Sequence, residues 1–179
     1  MQANRRRLIV IDGNDPAVRS LFVAVAHHVP VDFLSPQPLS ARLRHPSTLL
    51  DRAARAQLDW HPVESLRARE KHVLIPGWSR FASFSTRVLK REISRLIDEQ
   101  GEPDAIVFTL PFYGDLAEHF PAHNCVYYVY DPFEFYQAWD ADRVRACESK
   151  MVEHCRAIFA VSAQLVDDFR RSEEHTSEL

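Results

Sequence analysis

The sequence is short of glycine, with four among 179 residues, and it contains no long apolar run. A transmembrane helix needs about eighteen consecutive apolar residues, and no stretch of that length occurs. The glycine-rich signatures GxGxxG and GxxxxGKS/T are also missing, so neither a dinucleotide fingerprint nor a P-loop is encoded. The formal net charge is -3, whereas nucleic-acid binders carry a basic excess. We therefore expect a soluble globular domain that binds no nucleic acid.

Cysteine is scarce as well, with three residues, an odd number, all on apolar segments. For Cys125, Cys147 and Cys155, buried reduced thiols are favoured over a disulfide or a metal site, because disulfides are rare in the cytosol. The start, MQANRRRLIV, has the positive charge of a signal peptide, but Asp12 ends its apolar run after four residues. We expect a cytoplasmic protein without a bound metal.

Two short apolar runs frame the most informative part of the chain, at Cys125–Tyr130 and Ala157–Val161. Their length and their β-branched and aromatic content predict strands that are buried on both faces. Between them, apolar residues three or four apart share one helical face: Val144, Cys147, Met151 and Cys155. Ser162 then occupies an N-cap position before another apolar stripe. This order of strand, helix, strand and helix predicts a parallel α/β sheet.

The upstream chain repeats the same pattern. Further strands are predicted at Leu8–Ile11, Val31–Leu34, His72–Ile75 and Asp104–Phe108. A first helix should begin at Pro16 with Asp15 as its N-cap, and its inner stripe should be Val18, Leu21, Phe22 and Val25. A second helix should span Thr86–Gln100 and end at Gly101. The segment Leu39–Arg69 shows only helical patches broken by prolines, and its charges are interpreted as a solvated face.

Loops that follow the predicted strands are candidate ligand sites, because open α/β sheets bind ligands at the carboxyl ends of their strands. Gly13, Asn14 and Asp15 follow the first strand and precede a helix, so this loop could contact an anion. A simple tight turn has equal weight there. Phe112 and Tyr113 lie in the loop after the 104–108 strand and are candidates for a cleft wall.

Asp131 follows the 125–130 strand directly, which places its carboxylate at the carboxyl edge of the sheet. Binding a ligand and a turn role with Pro132 have equal weight for this residue. Glu134 is a weaker candidate, for which a solvent-facing position is favoured. The aromatic residues Trp78, Phe81 and Phe84 could stack on a sugar or a lipid-linked ligand, but a core position is favoured.

Several of these segments together resemble the N-terminal half of family-4 glycosyltransferases of the GT-B fold. The matching residues are Tyr130–Asp131, Phe133–Glu134, Glu148 and Ala157–Phe169. The resemblance implies a Rossmann-like, doubly wound α/β domain that binds the acceptor across from a second domain holding a nucleotide-sugar. It implies a glycan, a lipid-linked or a small-molecule acceptor, and no metal requirement.

The same resemblance makes Asp131 the best candidate for contact with the acceptor or the transferred sugar. It assigns the following residues to the acceptor side of the cleft: Gly13, Asn14, Asp15, Phe112, Tyr113, Asp131, Glu134 and Ser162. No nucleotide-sugar or other cofactor is expected to bind residues 1–170 alone, since the donor-binding groups would lie in the second domain.

Residues 171–179, RSEEHTSEL, resemble the translation of a sequencing adapter. We therefore expect one domain over residues 1–170, a non-native tail, and a donor half that this chain lacks, so that the fragment alone is inactive. The alternative is a non-catalytic flavodoxin-like or receiver-like domain, for which Asp12 and Asp15 give a partial acidic match. Peripheral attachment to the inner membrane face through Arg5, Arg6 and Arg7 is a further expectation.

Overall fold

The computed structural model describes residues 6–11, 14–40, 58–77, 81–137, 139–167 and 169. Its strands and α-helices are, in chain order, β1 (Leu8–Ile11), α1 (Pro16–Val25), β2 (Val31–Pro38), β3 (His61–Val63), β4 (Ser65–Ile75), α2 (Ala82–Gln100), β5 (Ala105–Phe108), α3 (Gly114–Ala117), β6 (Cys125–Val129), α4 (Ala141–His154) and β7 (Ala157–Ala160). Three 3-10 turns cover Pro111–Tyr113, Ala122–Asn124 and Phe133–Phe135. Residues 163–167 are helical.

The seven strands form one sheet in the order β3-β4-β2-β1-β5-β6-β7, and every neighbouring pair except β3 and β4 is parallel. The chain moves outward from β1 to β2 and β4, then returns to place β5 on the other side of β1. This reversal between β1 and β5 makes the sheet doubly wound. The predicted α/β, Rossmann-like fold class is therefore confirmed.

Alternating side chains of β1 divide the core into two layers. Val10 packs with Val18 and Phe22 of α1, whereas Ile9 and Ile11 pack with α2, α3 and α4 on the opposite face. Asp15 caps α1 as predicted, because its Oδ1 accepts hydrogen bonds from the following backbone amides. The predicted inner position of Leu21 is wrong, since 40% of this residue is exposed.

Strands β2 and β4 are longer than the predicted Val31–Leu34 and His72–Ile75, and β4 includes the charged residues Arg69 and Glu70, which make ion pairs. Glu70 is only 3% exposed, and its carboxylate accepts two hydrogen bonds from Arg19 at 3.2 and 2.8 Å. Burial alone would raise the pKa of Glu70, but hydrogen bonds from His72, Arg19 and Ser35 hold this pKa well below its ordinary value. The charges of 39–69 were expected on a solvated face, but Arg69 pairs with the buried Asp32 at 2.5 Å, and the helical patches near Leu49 lie outside the described residues.

The edge strand β7 departs from the expectation of burial on both faces. Phe159 pairs in register with Tyr128 of β6, yet 58% of Phe159 is exposed. Strand β6 itself is buried apart from Tyr128, as predicted. The difference arises because β7 ends the sheet and β6 has a neighbour on each side.

Arg7 is buried between the start of β1 and the end of α2, with 6% of the residue exposed. Its guanidinium donates to Gln100 Oε1 at 2.8 Å and to the Gly101 carbonyl oxygen at 2.6 Å. Gly101 ends α2 as predicted, with a φ of 86° that favours glycine. Arg7 is therefore not available to a membrane surface, whereas Arg6 is exposed and Arg5 lies outside the described residues, so peripheral attachment stays a prediction.

The three cysteines are free; Cys125 is buried as expected, whereas Cys147 and Cys155 are only partly buried. Burial raises the pKa of Cys125 to about 11 and that of Cys155 to about 12, so both remain thiols at neutral pH. In the described part of the chain, no helix combines the length and the apolar character needed to cross a bilayer.

Candidate ligand-binding site

The reversal point of the sheet is held together by a buried hydrogen bond. Ile11 and Phe108 are register partners at the ends of β1 and β5, and the Thr109 hydroxyl donates to the Ile11 carbonyl oxygen at 2.9 Å. Crevices of this kind, outside the carboxyl ends of parallel strands, are where open α/β sheets bind ligands. The geometry thus fixes the position of the two loops that begin there.

The loop after β1 contributes a capped helix end. Asn14 is exposed, and Asp15 accepts from the backbone N–H groups of Ala17 and Val18 at 2.9 and 3.1 Å. Gly13 lies outside the described residues. The carboxylate of Asp15 is thus committed to the N-terminus of α1, where it stabilises the helix.

The two aromatic candidates after β5 have different environments. Tyr113 is completely buried, with its ring 6.3 Å from that of Phe108, so it faces the core and not a cleft. That corrects the expectation for Tyr113. Phe112 is half-buried, and its ring meets Trp139 edge-on at 4.7 Å with Arg143 above it at 5.6 Å. Of the pair, Phe112 is the one that reaches the surface of this edge.

Asp131 lies just beyond β6, as predicted, and it is half-buried. Its carboxylate accepts a short hydrogen bond from the Tyr136 hydroxyl. This hydrogen bond is the main reason that the pKa of Tyr136 rises to about 12, so Tyr136 remains a neutral donor. Asp131 thus keeps its remaining lone pairs for a further partner.

Glu134 is not simply solvated. Its Oε2 lies 3.0 Å from Nη1 of Arg145, and this ion pair joins the 133–135 turn to α4. The favoured solvent-facing position of Glu134 is therefore replaced by a structural contact between a loop and a helix.

Ser162 occupies the predicted N-cap. Its Oγ accepts from the backbone N–H of Leu165 at 3.3 Å, at the start of the helical residues 163–167. The side chain therefore serves the helix that follows β7.

Glu148 is a candidate that the sequence left without a role. It lies on the inward-facing stripe of α4 between Val144 and Met151, and its Oε1 accepts from the hydroxyl of the buried Tyr127 at 3.2 Å. Burial raises the pKa of Glu148 to about 7, against the lowering effect of the Tyr127 hydrogen bond, and nearby Glu134 raises it further. The sequence signal that could have identified Glu148 is a carboxylate within a stripe of apolar residues three or four positions apart.

Asp131, Glu134 and Glu148 line one cavity of about 190 Å³. Its walls are the loop 131–134, one face of α4, and Leu165 and Phe169. The cavity therefore joins the best sequence candidate, Asp131, to a carboxyl group with a raised pKa, a combination that is typical of functional sites.

The exposed aromatics after β4 lie on the protein surface. Phe81 is 57% exposed and Phe84 is 56% exposed, so the favoured core position is wrong for both, and stacking on a ligand stays a prediction. Trp78 lies outside the described residues. Within the ranges that the structure describes, no group of three His, Cys, Asp or Glu side chains is arranged to hold a metal ion.

No protein-family model matches this sequence, and no curated protein matches it.

Proposed function

We propose that this chain is the acceptor-binding half of a GT-B glycosyltransferase, an enzyme that transfers a sugar from a nucleotide-sugar to a glycan, a lipid-linked or a small-molecule acceptor. The observation that carries the proposal is the placement of Asp131 at the carboxyl edge of a doubly wound sheet, on the rim of a cavity with polar and apolar walls. Ligand cavities of mainly apolar character with a few convergent polar groups are typical of small-molecule sites.

The strand order supports this proposal over its rival. Counted along the chain, the parallel strands β4-β2-β1-β5-β6-β7 follow the order 3-2-1-4-5-6 of nucleotide-binding Rossmann sheets. In a flavodoxin-like sheet the third strand would pair with β1, whereas here it pairs with β2. The flavodoxin-like or receiver-like alternative therefore has the wrong topology, and Asp15 is already committed to capping α1.

The residues present suit a binding role in such an enzyme. Asp131 and Glu134 offer carboxylate oxygens to acceptor hydroxyls, and Glu148 can give or take a proton near neutral pH. Stabilisation of the leaving diphosphate requires positive charge or helix dipoles. The proposal assigns that task to a second domain, so residues 6–169 on their own should not turn over a nucleotide-sugar.

The test is to recover the source DNA across the codon for Arg170, express the reading frame that continues from it, and assay consumption of nucleotide-sugars. We expect a second α/β half and acceptor-dependent release of nucleoside diphosphate, which Asp131→Asn should reduce at least tenfold. The control is Glu153→Gln, at an exposed carboxylate of α4 outside the cavity. A continuing frame without a second α/β half, or a full protein that consumes no nucleotide-sugar, would refute the proposal.

A further inference from the structure

The cavity beside Asp131 has the size of one six-membered ring. Its volume is about 190 Å³, and a cavity of about 150 Å³ is enough to bind benzene. Helix α4 contributes one face, with side chains three or four positions apart: Arg145, Glu148, Ser149 and Val152. The opposite wall comes from the 131–134 loop and from Leu165 and Phe169. A water molecule alone would leave most of this volume empty.

The walls differ in chemistry from one side to the other. Phe133, Leu165 and Phe169 present apolar surface, while Asp131 and Glu148 present carboxyl groups. A sugar ring has the matching character, because its C–H face is apolar and its hydroxyl groups project around the rim. A purely apolar ring would leave the carboxyl groups without new hydrogen-bond partners, which is costly when they are buried.

The side-chain donors that line the cavity are already engaged. Arg145 directs Nη1 to Glu134 at 3.0 Å and Nη2 to Asp142 at 2.5 Å, and the Ser149 hydroxyl donates to the Arg145 carbonyl oxygen at 3.0 Å. Two of the five N–H groups of Arg145 and the hydroxyl hydrogen of Ser149 are therefore committed to protein partners.

The acceptors, in contrast, have capacity to spare. Asp131 receives one hydrogen bond from Tyr136, and Glu148 receives one from Tyr127. A carboxyl group has about four lone-pair positions when ionised and keeps acceptor capacity when protonated, so each can accept further hydrogen bonds. The cavity therefore favours a ligand that donates hydrogen bonds, and its excess of acidic over basic side chains disfavours phosphate, sulfate and carboxylate groups.

We propose that this cavity binds a single hydroxyl-bearing six-membered ring, a sugar residue, whose hydroxyl groups donate to Glu148 and Asp131 while its apolar face packs on Phe133 and Phe169. The inference rests on the proposed function for one point only, namely that the ring belongs to the acceptor. The inference restricts the acceptor to a molecule that presents a sugar ring. A lipid chain would not fit among the carboxyl groups of the cavity.

The test is to titrate the isotope-labelled chain with methyl glucoside and follow the backbone amide NMR signals. For a ligand of this size we expect a Kd in the millimolar range. We expect the shifted signals to belong to Glu148, Ser149 and the 131–134 loop. Glucosamine is titrated as a second ligand to show which groups of the sugar donate hydrogen bonds. If glucosamine binds more tightly than methyl glucoside, the natural ligand is an amino sugar.

Two variants and one control make the result specific. Val152→Trp should fill the cavity and weaken binding at least tenfold. Glu148→Gln, which keeps the side-chain shape, should weaken binding about fivefold at pH 8, where Glu148 is a charged acceptor. Glu153→Gln changes an exposed carboxylate of the same helix outside the cavity and should have no effect.

Four outcomes would overturn the inference: no binding at tens of millimolar glucoside, shifts confined to the exposed Phe81 and Phe84, equal binding of cyclohexanol, or tighter binding of glucose 6-phosphate. The experiment reads binding alone, so its failure is distinguishable from a failure of the transferase assay.

Discussion

The raised pKa of Glu148 leads to a prediction about stability. Because the folded protein holds the proton up to about pH 7, while an unfolded chain releases it near pH 4.5, wild-type stability falls as pH rises between these values. The rise of this pKa from 4.5 to about 7 corresponds to about 3.4 kcal/mol, and screening by solvent reduces this to about 2 to 3 kcal/mol. Glu148→Gln does not titrate and can still accept from Tyr127, so we expect it to stabilise the fold by that amount at pH 8.

The measurement is urea unfolding of both proteins at pH 5, 6, 7 and 8, with the difference in unfolding free energy plotted against pH. The linkage relation predicts a gain below about 1 kcal/mol at pH 5 that grows through the window from pH 4.5 to 7 and then levels off. Glu153→Gln, at an exposed site on the same helix, should show no such trend. A Glu148→Gln effect that is independent of pH, or that shrinks toward pH 8, would contradict the reasoning.

Three further predictions concern stability. Gly114→Ala would place a Cβ 2.7 Å from the Cys147 carbonyl oxygen, so we expect a loss of about 1 to 3 kcal/mol in urea unfolding, and no loss would show that α3 and α4 can move apart. Asp15→Ala removes two capping hydrogen bonds and should cost about 1 kcal/mol in thermal unfolding, whereas Asp15→Asn should cost less. Glu70→Gln leaves Arg19 without its carboxylate and should cost on the order of 3 kcal/mol at pH 7. Because the folded pKa of Glu70 is lowered, this cost should shrink as pH falls below 4.5, and a constant cost would contradict the ion-pair explanation.

The sequence was sufficient where apolar periodicity was unbroken. Strand β1 has the predicted bounds, and β5 and β6 differ from them by one residue, because short apolar runs in a parallel sheet are buried on both faces. Helix α2 begins four residues before the predicted Thr86. The apolar stripe did not reveal this first turn, because Phe81 and Phe84 are exposed and do not face the core.

Local patterns failed where burial depends on partners that are distant in the chain. The charged side chain of Glu70 is buried because it pairs with Arg19, which lies 51 positions away in the chain. The pKa of Glu148 is raised because β6 and α4, which are separate segments of the chain, enclose this side chain in the fold. Asp131 was placed correctly because its position depends on one local feature, the end of a strand.

The ion pair between Glu134 and Arg145 has a consequence for the speed of ligand exchange. The side chain of Arg145 is 55% exposed, and ion pairs at exposed sites contribute little to stability. The 133–135 turn is therefore fastened to α4 by a contact that breaks and reforms easily, and added salt weakens it further. A ligand in the adjoining cavity should enter and leave rapidly, with an off-rate that increases with ionic strength.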